Sequence, residues 1–205
     1  MEKLRCMNLT DWAADQKKWE FGPVTIEKEG RLDYWIPSHF NVDDWNGHWG
    51  NNYRMNEIQA AVGCVQLDKL DMLTDRRRAI GHRLNQGLAG VKGVTPVFEP
   101  DGYKHVYHLY TVCIEEDELG ASRDDFMRVL YKEEGIQGIL HYQPTYHFDG
   151  LKKLGYGQDL CPEAEKFFYK RELNLPMHPR LTDDDVETMI QGIRHAAEKV
   201  RGKKG

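Results

Sequence analysis

The chain has 205 residues, 40% of them apolar, and a net charge of −5 from 28 basic and 33 acidic side chains. That length allows one compact domain or one and a half. An acidic balance without a basic stripe argues against a nucleic-acid binder. No apolar run is long enough to span a bilayer, and the opening "MEKLRCMNLTDWAADQKKWE" lacks the apolar core of a signal peptide. Cys6, Cys64, Cys113 and Cys161 show no CxxC spacing, which reads as reduced, partly buried thiols in a cytoplasmic protein rather than disulfides or zinc ligands.

Residues 1–49 form a variable segment rich in aromatics, with Trp35, Trp45 and Trp49 among Gly and Pro breaks. Aromatics without regular structure suggest an arm that packs on something, and the stretch 19–49, together with the helix that follows Asn52–Met55, is expected to join contacts between chains. From Asn56 the spacing becomes helical. Ile58, Val62, Val65 and Leu73 are expected to point inward along one long helix. Asn56 and Gln59 stand in capping-box positions, the helix is expected to run to about Leu88, and Gly90 suits its stop. The charged half "DRRRAIGHR" reads as a solvated face.

"VTPVF" (94–98) and "HVYHLYTVCIE" (105–115) read as strands, the second central. Ser122 and Asp125 cap a helix with Phe126, Val129 and Leu130 on its apolar face, and Gly135 stops it. "IQGIL" (136–140) reads as a short strand and "HYQPTYHFDGLKKLGYG" as a loop. "CPEAEKFFYKRE" (161–172) reads as a helix with Pro162 at its first position, "LNLP" as a short strand or extended exit, and Thr182 with Asp185 caps a final helix whose Asp183 and Asp184 suit its positive end. The order implies a small α+β domain, an antiparallel or mixed sheet covered by helices on one face. The predicted divisions are an arm (1–49), a long connecting helix (50–90) and an α+β domain (91–205).

Two stretches could carry chemistry. Asn51, Asn52, Tyr53 and Arg54 precede the long helix, where free backbone N–H groups favour an anion and an amide and a guanidinium would strengthen the hold. A simple turn before a cap explains the same residues. The loop "HYQPTYH" (141–147) gathers two histidines and two tyrosines after a strand, where binding groups collect, but an aromatic loop packed on the surface has the same composition. His105 and His108, three apart on a strand, would face opposite ways, so no metal is expected. GxSxG, GxGxxG, Walker and HExxH motifs are absent.

The stretch "NNYRMNEIQAAVGCVQLDKLDMLTDRRR" resembles the N-Y-R-M helix of the PLP-dependent sugar aminotransferases of the DegT/StrS type. The resemblance continues in order through "HVYHLYTV", "SRDDFMRVLYKEEGIQ", "HYQPTYH" and "LNLPMHPRLTDDDVETMI", covering residues 50–200. It implies the small C-terminal domain of a type I aminotransferase fold, working as a homodimer or with a large domain. The implied cofactor is PLP and the implied substrate a small-molecule sugar. The matched Asn52 would reach the PLP phosphate of the partner subunit, with Tyr53 and Arg54 beside that phosphate or the substrate. His141 and Tyr142 would lie at the substrate side, joined by His147. The family's S-F-H-x-x-K segment has no counterpart here, so no catalytic residue is assigned and the aldimine lysine is expected to be missing from the chain. The implied reaction moves an amino group from glutamate or glutamine to a keto sugar nucleotide or cyclitol ketone. A dehydratase of the same family and a non-catalytic domain that dimerises or binds a partner are the alternatives.

Overall fold

A computed structural model describes residues 26–28, 31–33, 55–157 and 159–202. Strands β1 (Ile26–Lys28) and β2 (Arg31–Asp33) pair antiparallel, Glu27 opposite Leu32. The remaining described residues fall into two compact units, one built from 55–63 and 140–168, the other from 64–139 and 169–202.

The long helix comes as two pieces, α1 (Glu57–Asp68) and α2 (Leu70–Leu88). At Lys69 the ladder tightens: its N–H donates to the Gln66 carbonyl, three residues back, at 3.1 Å, before Leu73 N–H resumes the four-residue step onto Lys69 at 3.0 Å. The capping box forms as the residues require. Gln59 N–H donates to Asn56 Oδ1 (2.9 Å) and Asn56 N–H to Gln59 Oε1 (3.0 Å). The inward direction expected of α1 is corrected. Ile58 is 78% exposed, Val62 55% and Val65 49%, Leu73 is half-buried, and no residue of α1 is buried. The burial begins further along, at Ile80, Leu84 and Leu88 of α2.

The second unit holds a three-stranded antiparallel sheet, with β4 (Tyr110–Ile114) between β3 (Val94–Thr95) and β5 (Glu172–Leu175). Val94 faces Ile114 across one ladder; Tyr110 faces Leu175 and Val112 faces Leu173 across the other. Tyr110, Val112 and Ile114 are buried while Thr111 and Cys113 are half-buried, the period-2 signature of a sheet with one core face. The central position of β4 is as expected, but the strands are shorter. Tyr107 takes the left-handed conformation (φ 48°) and spends its N–H on His105 Nδ1 (2.9 Å). No ladder can run through such a residue, so His105 and His108 sit in a loop rather than on a strand. The expected strand 136–140 shrinks to one bridge between Ile139 and Asn174.

Short helix α3 (Glu116–Leu119) is followed by α4 (Arg123–Glu134). Ser122 Oγ accepts from Asp125 N–H at 3.1 Å, and Gly135 closes the helix at φ 69°. In the first unit come a 3₁₀ turn (Thr145–His147), α5 (Asp149–Lys152) and α6 (Pro162–Lys166), the last opened by its proline as predicted. A π-helical turn (Phe167–Arg171) leads into β5. The closing helix α7 (Asp183–Gly202) is capped by Thr182 Oγ1, which accepts from Asp185 N–H at 3.1 Å. Its Val186, Met189, Ile190, Ile193, Ala196, Ala197 and Val200 are buried in one stripe that packs on α2 and α4. Of the described cysteines, Cys113 is half-buried, but Cys64 and Cys161 are exposed, which corrects the expectation of partly buried thiols for those two.

Candidate functional site

The loop after Ile139 places the predicted pair His141 and Tyr142 side by side. Their rings meet edge to face with centroids 4.6 Å apart, His141 half-buried and Tyr142 59% exposed, across a cis peptide bond. Pro144 then bends the chain into the 3₁₀ turn, with His147 N–H donating to the Pro144 carbonyl at 2.9 Å. That turn brings Tyr146 against His147, edge to face at 4.7 Å. Both reach Glu165 of α6. The Tyr146 hydroxyl donates to Glu165 Oε1 at 2.8 Å, and His147 Nε2 stands 3.6 Å from the same oxygen. Desolvation, then the hydrogen bond to Glu165, pushes the Tyr146 phenol up to about 12. His147 is buried at 7% exposure. The arrangement offers one outward phenol, Tyr142, and a tyrosine–carboxylate–histidine group that anchors the loop.

Asn52, Tyr53 and Arg54 lie outside the described residues. Glu165 carried no signal in the sequence beyond its place in the first turn of a predicted helix. Its role depends on a turn 18 to 19 residues earlier in the chain.

The second unit contains a polar centre that sequence reasoning missed. Glu99 accepts from Arg78 Nη1 (2.7 Å), the His105 N–H (2.8 Å) and the Tyr107 hydroxyl (3.2 Å), and pairs with His82 Nε2 (2.7 Å). The Arg78 guanidinium first, then the His105 amide and His82, hold the Glu99 carboxyl well below the usual carboxylate range. Tyr107, fully buried, lies over Gly81, where a Cβ would come within 2.7 Å of the ring. Asn85 Nδ2 donates to the Val97 carbonyl at 3.0 Å, and its Oδ1 accepts from the Tyr110 hydroxyl at 2.5 Å. Arg78 and His82 lie four residues apart on one helix face, but nothing in the sequence pairs them with Glu99.

The arginine run is not the solvated face expected. Arg76 donates to the Leu181 carbonyl (2.5 Å) and pairs with Asp183 (2.8 Å). Arg77 donates to the carbonyls of Tyr107 (3.1 Å) and Met177 (3.2 Å), and Arg78 to that of His105 (2.6 Å). A planar guanidinium on a long stem reaches loop carbonyls beyond its own helix, which no charge pattern reveals. A groove of about 590 Å³ runs past Arg76, Ile80, Arg83, Asp183, Val186 and Glu187. Arg76 pairs there with Asp183 at 2.8 Å and Arg83 with Glu187 at 2.6 Å, while Asp184 adds a further carboxylate to the lining. Among the described residues no group of three or more His, Cys, Asp or Glu side chains could hold a metal ion.

The order of motifs, the capped helices around a small antiparallel sheet and the aromatic loop on Glu165 now have a family context. The profile of the DegT/DnrJ/EryC1/StrS aminotransferase family matches residues 34–194, and the chain belongs to that family. The chain is 33% identical over 157 residues to the spore coat polysaccharide biosynthesis protein SpsC of Bacillus subtilis (strain 168), a match covering 73% of this chain and 40% of that one. Among solved structures it resembles the aminotransferase TlmJ from Streptoalloteichus hindustanus, with a TM-score of 0.61 at 30% identity over 74% of this chain and 39% of that chain. It also resembles S. venezuelae DesV in complex with a ketimine intermediate, with a TM-score of 0.62 at 31% identity, covering 76% and 40%. The chain therefore spans about two-fifths of the length of these relatives.

The family implies PLP in the intact enzyme. The described residues do not by themselves fit that group. Each lysine from Lys69 to Lys199 is exposed, whereas a lysine that carries the cofactor must be enclosed and desolvated. None of the described helices is long and apolar enough to cross a membrane.

Proposed function

We propose that this chain is the small-domain part of a PLP-dependent transaminase that moves an amino group from glutamate or glutamine to a keto sugar nucleotide or cyclitol ketone, and that it is inactive by itself. The match of residues 34–194 to the aminotransferase family carries this reading. In it, residues 1–49 form an arm, 50–90 a connecting helix and 91–205 the small domain. Asn52, Tyr53 and Arg54 hold the cofactor's phosphate, because a phosphate dianion is stabilised by a helix mouth, an amide and a guanidinium. His141 and Tyr142 face the sugar, and the buried His147 supports them from within the loop. The exposed Tyr142 phenol suits a hydroxyl-rich ligand, and His147 with Glu165 keeps the loop in place. The assembled enzyme is cytoplasmic and works as a dimer or with a large domain that supplies the cofactor-bearing lysine. The cofactor, once bound there, stabilises negative charge at the amino-bearing carbon of donor and acceptor.

The test mixes the purified chain with PLP, an amino donor and a keto sugar nucleotide. The expected result is no turnover and no lysine of this chain fixed to the cofactor by borohydride. Supplying the large domain in trans should restore activity, and Arg54→Ala should then loosen cofactor retention. A borohydride-fixed lysine in the lone chain, with turnover, overturns the reading. A docking or dimerising domain without catalysis is the second reading. It is favoured by the exposure of each lysine from Lys69 to Lys199, and it would be supported if the large domain binds without restoring activity.

A further inference from the structure

Two backbone hydrogen bonds shape the turn at Thr145–His147. The His147 N–H donates to the Pro144 carbonyl at 2.9 Å and the Phe148 N–H to that of Thr145 at 3.0 Å. Both are local, so they fix the turn's shape and not its place in the fold. Its place is set from α6. The Tyr146 hydroxyl donates to Glu165 Oε1 at 2.8 Å and lies 3.4 Å from the carbonyl of Cys161, the residue before α6. The same Glu165 oxygen stands 3.6 Å from His147 Nε2, beyond hydrogen-bond length, so that contact is electrostatic. One carboxylate oxygen thus holds two consecutive residues of the turn. The Glu165 side chain is only 13% exposed, and a carboxylate so far out of water is costly unless its acceptors are used. A hydrogen bond to an ionised acceptor is also about twice as strong as a neutral one.

The hold passes upstream through a short, stiff stretch. Only Gln143 and Pro144 lie between Tyr142 and the turn, and the proline ring fixes its own φ, here −50°. On the other side Leu140 is buried at 4% exposure. The His141–Tyr142 pair is therefore strung between two fixed points joined by at most about 14 Å of chain. We propose that Glu165 is a positioning residue: acting through Tyr146 and His147, it sets how the Tyr142 phenol is presented to the sugar, and it touches no sugar itself. This rests on the reading of the loop as the sugar side of a transaminase. Amino donor and keto sugar react in separate halves of a transamination, so a group that places the sugar-facing loop acts on the sugar half.

The test uses the full chain, first alone and then with the large domain supplied in trans. Glu165→Ala removes charge and acceptor, Glu165→Gln keeps the acceptor without the charge, and Glu163→Gln changes an exposed residue of the same helix as a control. In the chain alone, the Tyr142 ring, 4.6 Å from that of His141, displaces the His141 ring-proton signals. Glu165→Ala should move those signals towards a free imidazole and speed exchange of the His147 amide about tenfold or more, with the α7 amides unchanged. Glu165→Gln should recover part of both, and Glu163→Gln should change neither. With the large domain and a thymidine-diphosphate keto sugar, Glu165→Ala should raise the sugar KM about tenfold, the worth of one charged hydrogen bond, and leave the glutamate KM unchanged. If Glu165→Ala fails to fold, Tyr146→Phe gives the same readouts, since it keeps the ring against His147 and loses only the hydroxyl. Three results overturn the proposal: His141 signals that do not move, sugar and glutamate KM values that rise together, or a sugar KM that is unchanged although the signals move. Displaced His141 signals without turnover by the wild-type mixture support the hold of Glu165 on the loop and sink the catalytic reading. Turnover with unmoved His141 signals does the reverse.

Discussion

Helices α1 and α7 both space apolar residues at helical intervals, and both begin with a local cap that forms. In α7 the stripe from Val186 to Val200 is buried, with Ile193, Ala196 and Ala197 at 0% exposure. In α1 the corresponding residues face solvent. The difference lies in the partner and not in the pattern. α7 returns to α2 and α4 within its own compact unit, whereas nothing in the described chain seals α1. Periodicity states that a helix has a face to bury. It does not state which polypeptide provides the other surface.

The comparison can be broken by substitutions matched across the two helices. Ile193→Ala in α7 should cost about 2–5 kcal/mol through lost burial and a residual cavity, read as a lower denaturant midpoint at unchanged slope. A loss below about 1 kcal/mol would mean that the α7 interface is looser than its burial implies. Ser122→Ala at the start of α4 should cost about 1 kcal/mol, the usual worth of an N-cap that accepts a backbone N–H. If it costs nothing, water replaces the cap.

A pH-dependent and smaller effect is expected at Glu99. Its folded-state pKa is depressed by Arg78, the His105 amide and His82. The stabilisation is therefore fully present above the ordinary glutamate value of 4.5 and is lost as pH falls through that value towards the folded one. Glu99→Gln should destabilise the chain at neutral pH, and the gap between variant and wild type should narrow below about pH 4.5. Thermal melts at several pH values check this; a gap that stays constant or widens in acid would remove Glu99 from the account. The smallest effect belongs to α1. Val62→Ala should change the stability of the free chain by less than about 0.5 kcal/mol, as for an exposed surface residue. A loss of 1 kcal/mol or more would show that α1 is already covered.

What was legible in the sequence was local. The boxes at Asn56 and Gln59, Ser122 and Asp125, and Thr182 and Asp185 all form, because each needs only residues three apart. The burial of Phe126, Val129 and Leu130 also followed from spacing, since α4 and its neighbours lie in the same unit. The strand ends were misread at 105–109 because Tyr107 adopts a left-handed conformation that aromatic, β-branched composition argues against. The centre on Glu99 was invisible. Its partners Arg78 and His82 lie 21 and 17 residues away, and only the folded loop brings them within 2.7 Å.

By itself the sequence determined the capped helices, the central strand and the family, because these depend on short-range periodicity and on motifs kept in order along the chain. Tertiary structure alone decided that the arginines of α2 clamp loop carbonyls, that Tyr146 and His147 share Glu165, and that α1 presents its apolar residues to solvent. Each of those depends on which surfaces meet across long separations. Chain closure sets such encounters, and no local spacing encodes them.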